Sequence, residues 1–241
     1  LRITYGDSVV MVDPMLQPLG TLPPVPDTAN TRKNPIARIP LAMEDVIDGT
    51  SLVLVTHTHR DHWDNPPAAA LSRRLAVVCQ PEDEEKVRAS GFDRVTSLPG
   101  TGSESGIRLT RVPGRHGTGD IGTRMGPSSG YVLAAQNLPT IYVAGDTIWC
   151  TEVEDAMRQH KPDVIVVNAG AAQFNTGGAI TMDAGDVIAV TRASYGARVI
   201  AVHMEAWNHC LLTRARLRQE LRGAGLEYRV DVPDDSETVA V

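Results

Sequence analysis

Apolar and polar positions follow two rhythms along the chain. Leu1-Arg2-Ile3-Thr4-Tyr5 alternates with period two, and Val9-Val10-Met11-Val12 resumes after Gly6-Asp7-Ser8, a hairpin signature. Residues 51–55 are unbroken apolar after Ser51 and read as a buried strand. Strands over 75–80 and 94–98 flank a helix over 82–90, opened by Pro81 and stopped by Gly91, which makes a βαβ-like passage. Residues 100–106 are small and polar and read as a turn between halves. Strands over 107–113, 130–135 and 140–144 then follow without helices, as an antiparallel meander. In the last third, helices over 151–161, 182–194 and 211–223 alternate with strands over 163–167, 198–202 and 228–232. Thr151-Glu152-Val153-Glu154 reads as a capping box for the first of these helices. A short helix is expected over 41–46. Another is expected to start at Asp64-Asn65-Pro66-Pro67 and run into 68–74. Two mixed halves with helices outside predict an α/β (α+β) fold, a four-layer αββα sandwich in one domain over 1–241. Because the chain opens at Leu1 already inside an alternation, a first strand is expected upstream.

Two stretches break the rhythm. Seven prolines between residues 14 and 40 forbid a regular helix or interior strand there. Such a long loop either lines a cleft or subunit contact, or is a surface excursion. The glycine-rich stretch 117–130 contains no GxxxxGK[ST] and is expected to open no helix; its glycines would let backbone approach a site.

Chemistry concentrates directly after strand 51–55, in Thr56-His57-Thr58-His59-Arg60-Asp61-His62. Side chains alternate on an extended segment and then turn a corner. His57 and His59 can therefore face one way while Asp61 and His62 face another, serving two neighbouring metal ions. Imidazole and carboxylate without thiolate suit Zn²⁺, Mn²⁺ or Fe²⁺ better than a cysteine zinc site. Further ligand types stand at later strand ends: His116, Asp146 and His203. Strand ends combine rigid supports with converging loops.

HxHxDH, then His, Asp and His in this order, resembles the metallo-β-lactamase-fold hydrolases over most of the chain. The resemblance implies one ion held by His57, His59 and His116, a second by Asp61, His62 and His203, and Asp146 bridging them. It also implies that Asp13, before Pro14, supports a metal-binding histidine; an ordinary turn aspartate is the competing account. Two ions about 3.5–4 Å apart can lower the pKa of a water toward neutrality and aim hydroxide at a carbonyl or phosphoryl centre, with Asp61 and Asp146 orienting it. The string of Asp13-Pro14, Thr56-His57-Thr58-His59, Gly145-Asp146-Thr147 and Val202-His203-Met204 is similar to the L-ascorbate-6-phosphate lactonase-like subgroup. That similarity implies hydrolysis of a lactone or small ester, phosphorylated or not, most simply with Zn²⁺ or Mn²⁺.

His209, in the loop after His203, is the candidate leaving-group acid or substrate contact; the alternative is a cap for the helix near Leu211. Arg115 could bind a substrate anion or pair with a nearby carboxylate. Trp63 and Trp149 either wall the pocket or pack in the core. His160 is expected to be solvated.

Composition narrows the class. Apolar content of 42% and charged content of 22% are ordinary for a globular protein. No apolar run is long enough to span a bilayer, so no membrane association and a cytoplasmic location are expected. A net charge of −6 argues against nucleic acid as partner and for a small-molecule substrate, with a homo-oligomer allowed. Cys79, Cys150 and Cys210 fit reduced thiols. The alternatives are a phosphodiesterase or nuclease of the same fold, or a metal-retaining binding or sensor protein.

Overall fold

The computed structural model describes residues 1–63 and 70–241. The helix expected to start at Asp64 lies largely outside the described residues.

The first sheet has the order β1-β2-β3-β4-β5, formed by Arg2–Tyr5, Ser8–Val12, Thr50–Val55, Ala76–Cys79 and Arg94–Ser97. Only the β1/β2 pair is antiparallel. The second sheet has seven strands in the order β12-β11-β10-β9-β8-β7-β6. They are β6 (Thr101–Glu104), β7 (Ile107–Pro113), β8 (Ser129–Ala134), β9 (Ile141–Val143), β10 (Val164–Asn168), β11 (Arg198–Val202) and β12 (Val230–Asp231). β9, β10, β11 and β12 are mutually parallel. β7 and β9 both run antiparallel to β8, so β7, β9 and β11 end on the same edge.

The period-two pattern explains the layering. Val10, Val12, Leu52, Leu54, Ala76 and Val78 face the second sheet, where they meet Leu109, Tyr131, Leu133 and Val166. Their neighbours Met11, Val53, Val55, Val77 and Cys79 face outward, against Val46 and Ile47 of α1 (Met43–Ile47) and Val87 of α2 (Glu84–Ala89). On the far side, Ile165, Val167, Val199 and Ala201 pack against α4 (Thr151–His160), α5 (Ala184–Ala193) and α6 (Arg214–Ala224). The order helix, sheet, sheet, helix is the αββα sandwich read from the sequence.

Several local expectations are corrected. Residues 101–104 form the edge strand β6, paired with β7; only Ser105 and Gly106 turn, both at positive φ. The glycine-rich stretch does open a helix, α3 (Gly119–Met125). Helix propensity loses about 1 kcal/mol per glycine, but Ile121 packs on Gly177 and Gly122 sits tightly on Gly117, so tertiary contact overrides it. The capping box at Thr151 does not form: Thr151 is already the first residue of α4, and the N-cap position falls to Cys150, which makes no side-chain cap. α5 and α6 start two to three residues later than read, at side-chain caps by Asp183 and Thr213. His160 is half-buried rather than solvated. Cys79 is a core residue whose thiol burial pushes up to about 12.

Candidate metal centre

His57, His59, Asp61 and His62 follow β3; His116 follows β7, Asp146 follows β9, and His203 follows β11. The strand directions bring these ends to one edge, where ligand-type atoms from both sheets converge. They form two groups, His57, His59 and His116, and Asp61, His62, Asp146 and His203, each with its ligand atoms within 4.8 Å of one another.

In the first group the Nε2 of His57 lies 3.0 Å from His59 Nδ1, and the Nε2 of His116 lies 3.3 Å from the same atom. Zn–N bonds of about 2.0–2.1 Å in a tetrahedron place ligand nitrogens about 3.3 Å apart, so the three imidazoles fit a metal cage. Burial, reinforced by neighbouring imidazoles, holds His57 well below the usual histidine pKa, and burial lowers His59 as well. Both are therefore neutral at pH 7, with lone pairs available. His116 Nδ1 donates to the Ile180 carbonyl at 2.7 Å, which turns its Nε2 toward the cage.

In the second group Asp146 is the pivot. Its Oδ2 lies 3.2 Å from His62 Nε2, 3.6 Å from His116 Nε2 and 4.0 Å from His57 Nε2, so one oxygen faces both groups. Its Oδ1 accepts from Asn168 Nδ2 at 2.7 Å. Burial raises the Asp146 pKa, but the imidazoles of His62 and His203 outweigh it and hold this carboxyl well below its ordinary value. Asp61 Oδ2 stands 3.6 Å from His203 Nε2 and 3.9 Å from His62 Nε2. Burial alone would depress His62, yet Asp146, Asp61 and Asp13 together raise it well above the usual value. Among the described residues, the buried Nε2 atoms of His62 and His203 have no hydrogen-bond partner. Buried imidazole nitrogens without partners, facing buried carboxylates, are what a divalent cation would satisfy.

The supports are specific. Asp13 Oδ2 accepts from His62 Nδ1 at 2.8 Å and from the Thr56 hydroxyl at 2.7 Å, while Oδ1 takes the Thr56 amide at 2.8 Å. Asp13 is thus no ordinary turn residue. Cys210 Sγ lies 3.7 Å from His203 Nδ1. Gly145, just before Asp146, has φ +68, and a Cβ there would meet Ser129 O at 2.6 Å. At Gly170 a Cβ would meet His203 O at 2.5 Å.

His209 joins the cluster, with Nε2 3.5 Å from Asp61 Oδ2. It caps no helix, since α6 begins at Arg214 under Thr213. Burial lowers its pKa, against the pull of Asp61, and its Nδ1 is buried without a hydrogen-bond partner among the described residues. Beside the metal-type groups lies a cavity of about 280 Å³, bounded in part by His59, Asp61, His116 and His209. Arg115 does not line it; its guanidinium binds both Glu152 oxygens at 2.7 and 2.8 Å. Trp63 packs on Phe92 in the outer core and Trp149 packs beneath α4 and α5, so neither walls the cavity. Trp207 does, together with Phe174 and with Val25 and Pro26 of the proline-rich excursion. Val25 and Pro26 agree with the reading of the proline-rich loop as lining a cleft; for Trp207 the sequence signal is its position between His203 and His209.

Residues 21–204 match the family model described as the Beta-lactamase superfamily domain. The chain is 35% identical over 239 residues to the UPF0173 protein YddR of Bacillus subtilis (strain 168), covering 98% of this chain and 94% of that one. A UPF0173 metal-dependent hydrolase of Ruegeria pomeroyi, SPO2976, is 29% identical over 179 residues, covering 70% of this chain and 69% of the relative. Among solved structures, a possible metal-dependent hydrolase from Veillonella parvula DSM 2008 superposes with a TM-score of 0.96 at 32% identity, covering 100% of this chain and 95% of that one. An isothiocyanate hydrolase from Delia radicum gut bacteria gives a TM-score of 0.92 at 30% identity, with the same coverages. These likenesses extend over nearly the whole chain and agree with the convergence of imidazoles and carboxylates at one sheet edge: the chain belongs to the beta-lactamase superfamily, as a metal-dependent hydrolase of that fold.

Proposed function

We propose that the chain is a dinuclear hydrolase of a small molecule with an electrophilic carbon. One divalent ion would be held by His57, His59 and His116, and the other by Asp61, His62 and His203, with Asp146 shared. The observation that carries this reading is the position of Asp146 Oδ2, 3.2 to 4.0 Å from nitrogens of both groups. The donor set of imidazoles and carboxylates suits Zn²⁺ first, with Mn²⁺ and Fe²⁺ compatible. When bound, such a pair supplies a water that deprotonates near neutral pH and polarises the oxygen that gains negative charge.

The remaining work falls to the chain. Asp61 and Asp146, both ionised, accept hydrogen bonds from the attacking water and fix its direction. His209, neutral and beside Asp61, stands on the cavity side, where it can exchange a proton with the departing group through Nε2. Asp13 and Asn168 keep His62 and Asp146 from rotating.

A lactone or small ester is the first substrate reading, on the motif string of residues 13–14, 56–59, 145–147 and 202–204. The likeness at 30% identity to a protein described as an isothiocyanate hydrolase supports a second, in which water attacks the central carbon of an isothiocyanate. Metal content by elemental mass spectrometry, followed on the same sample by a panel of lactones, esters, phosphoesters and isothiocyanates, tests both. Near two metals per chain with turnover of a lactone or ester supports the first reading, and isothiocyanate turnover the second. Phosphoester turnover alone would make the chain a phosphodiesterase, and two metals without turnover a binding or sensor protein.

A further inference from the structure

The cavity beside the metal-type groups is lined by two unlike kinds of side chain. Alongside His59, Asp61, His116 and His209 stand Val25, Pro26, Met125, Phe174, Ile180 and Trp207. At about 280 Å³ the space lies at the small end of ligand sites, which typically span about 300–1,000 Å³. Arg60 and Lys86 also line the cavity, but among the described residues around it no cation is buried. Lys86 Nζ donates to the Thr58 carbonyl at 2.5 Å, Arg124 stacks on the Phe174 ring at 4.5 Å, and Arg60 is exposed. An ion pair at an exposed arginine contributes little.

The apolar side is also fixed in place. Asn208 is wholly buried and joins the excursion to the loop carrying His209. Its Oδ1 accepts from the Val25 amide at 2.9 Å and from Asn34 Nδ2 at 2.7 Å. Its Nδ2 donates to the Thr28 hydroxyl at 2.7 Å, and its own amide donates to Asn34 Oδ1 at 2.9 Å. The Asp27 carbonyl accepts from the Asn175 amide at 2.6 Å, which ties the excursion to the strand of chain that carries Phe174. One buried side chain thus ties the excursion that carries Val25 and Pro26 to the loop that carries Trp207.

Building on the two-ion reading, we propose that this wall selects the substrate: it takes a neutral, compact hydrocarbon group, no larger than a phenyl ring or short alkyl chain, and Asn208 is the positioning residue that keeps it in register with the reacting end. A phosphorylated or otherwise anionic tail is disfavoured, because it would lose its hydration without gaining a buried cation.

Calorimetry of the zinc-loaded protein with three hydroxamates separates the parts, since the hydroxamate end engages metal whatever the tail. Benzohydroxamate should bind about thirtyfold more tightly than acetohydroxamate, as expected from burying one phenyl group. 4-Carboxybenzohydroxamate should bind at least about tenfold more weakly than benzohydroxamate. Phe174→Ala, on a half-buried loop residue, should bring the benzo-to-aceto ratio down several-fold with acetohydroxamate affinity unchanged. Asn208→Ala should do the same at full zinc content; should that variant not fold, Thr28→Val, which removes the hydroxyl bonded to Asn208 Nδ2 and to the Val25 and Asn30 carbonyls, decides the point. Equal binding of the acetyl and benzoyl compounds, tighter binding of the carboxylate, or a ratio that ignores Phe174→Ala and the clamp variants would overturn the inference. A protein that takes up zinc but binds no hydroxamate overturns the two-ion reading and the inference with it, whereas hydroxamate binding without tail preference leaves the reading standing and removes only the inference.

Discussion

The two ligand groups are built on different plans. His57, His59 and His116 bring three imidazole rings and no carboxylate of their own, with burial keeping His57 and His59 neutral, and their bracing comes from the uncharged Thr56 hydroxyl and Ile180 carbonyl. Asp61, His62, Asp146 and His203 bring two ionised carboxylates, and Asp13, Asn168 and Cys210 brace three of the four side chains. A divalent cation loses more of its charge to the second group than to the first. The second group should therefore fill first and release metal last, and the first should respond more to acid, because protons compete directly for neutral imidazole.

Four substitutions sharpen or break that comparison. Asp146→Ala has the largest expected effect: both ions are lost and turnover falls on the order of a thousandfold or more, with circular dichroism unchanged. Retention of two metals by elemental analysis would sink the shared role. His57→Ala should cost one ion of the two and reduce turnover on the order of a hundredfold or more; losing both ions would mean that the groups are not separable. Asp13→Asn should weaken the last-released metal by about 10–100-fold while leaving the first-released one in place, as followed by chelator competition. Equal weakening of both would show that Asp13 acts on the loop rather than on His62. Cys210→Ala is the smallest, a change of about two- to fivefold in the affinity of the carboxylate-bearing group, recovered by Cys210→Ser. No recovery in the serine variant would assign Cys210 to packing against Gly170 instead.

The comparison also separates what the sequence discloses from what it withholds. The two groups are legible because four metal-type residues fall within six positions and the others sit just past apolar runs that read as strands. Asp13 is legible only through resemblance, since nothing local distinguishes it from a turn residue. The cavity wall is legible only in part: the proline-rich stretch that carries residues 25 and 26 could be read as lining a cleft, but residues 125, 174, 180 and 207 join it from the end of α3 and two further loops. The bond between Asn34 and Asn208 spans 174 positions with no periodic signal. Likewise α3 and β6 form against local composition, because their neighbours supply the packing and pairing that Gly119, Gly122 and Gly102 cannot. Residues whose role is set by chain-distant partners leave no mark in their own neighbourhood.

Gly145 and Gly170 carry a consequence for how this chain can vary. Each is pressed against a carbonyl at the foot of a ligand loop, at 2.6 and 2.5 Å from where a Cβ would stand. Even alanine would push Asp146 off Ser129 or His203 off its strand. In a library of random variants selected for metal uptake, these two positions should therefore be as intolerant as the ligands themselves, although neither has a side chain to offer. Gly100 and Gly178, where a Cβ would meet nothing within 4 Å among the described residues and φ is not positive, should drift freely.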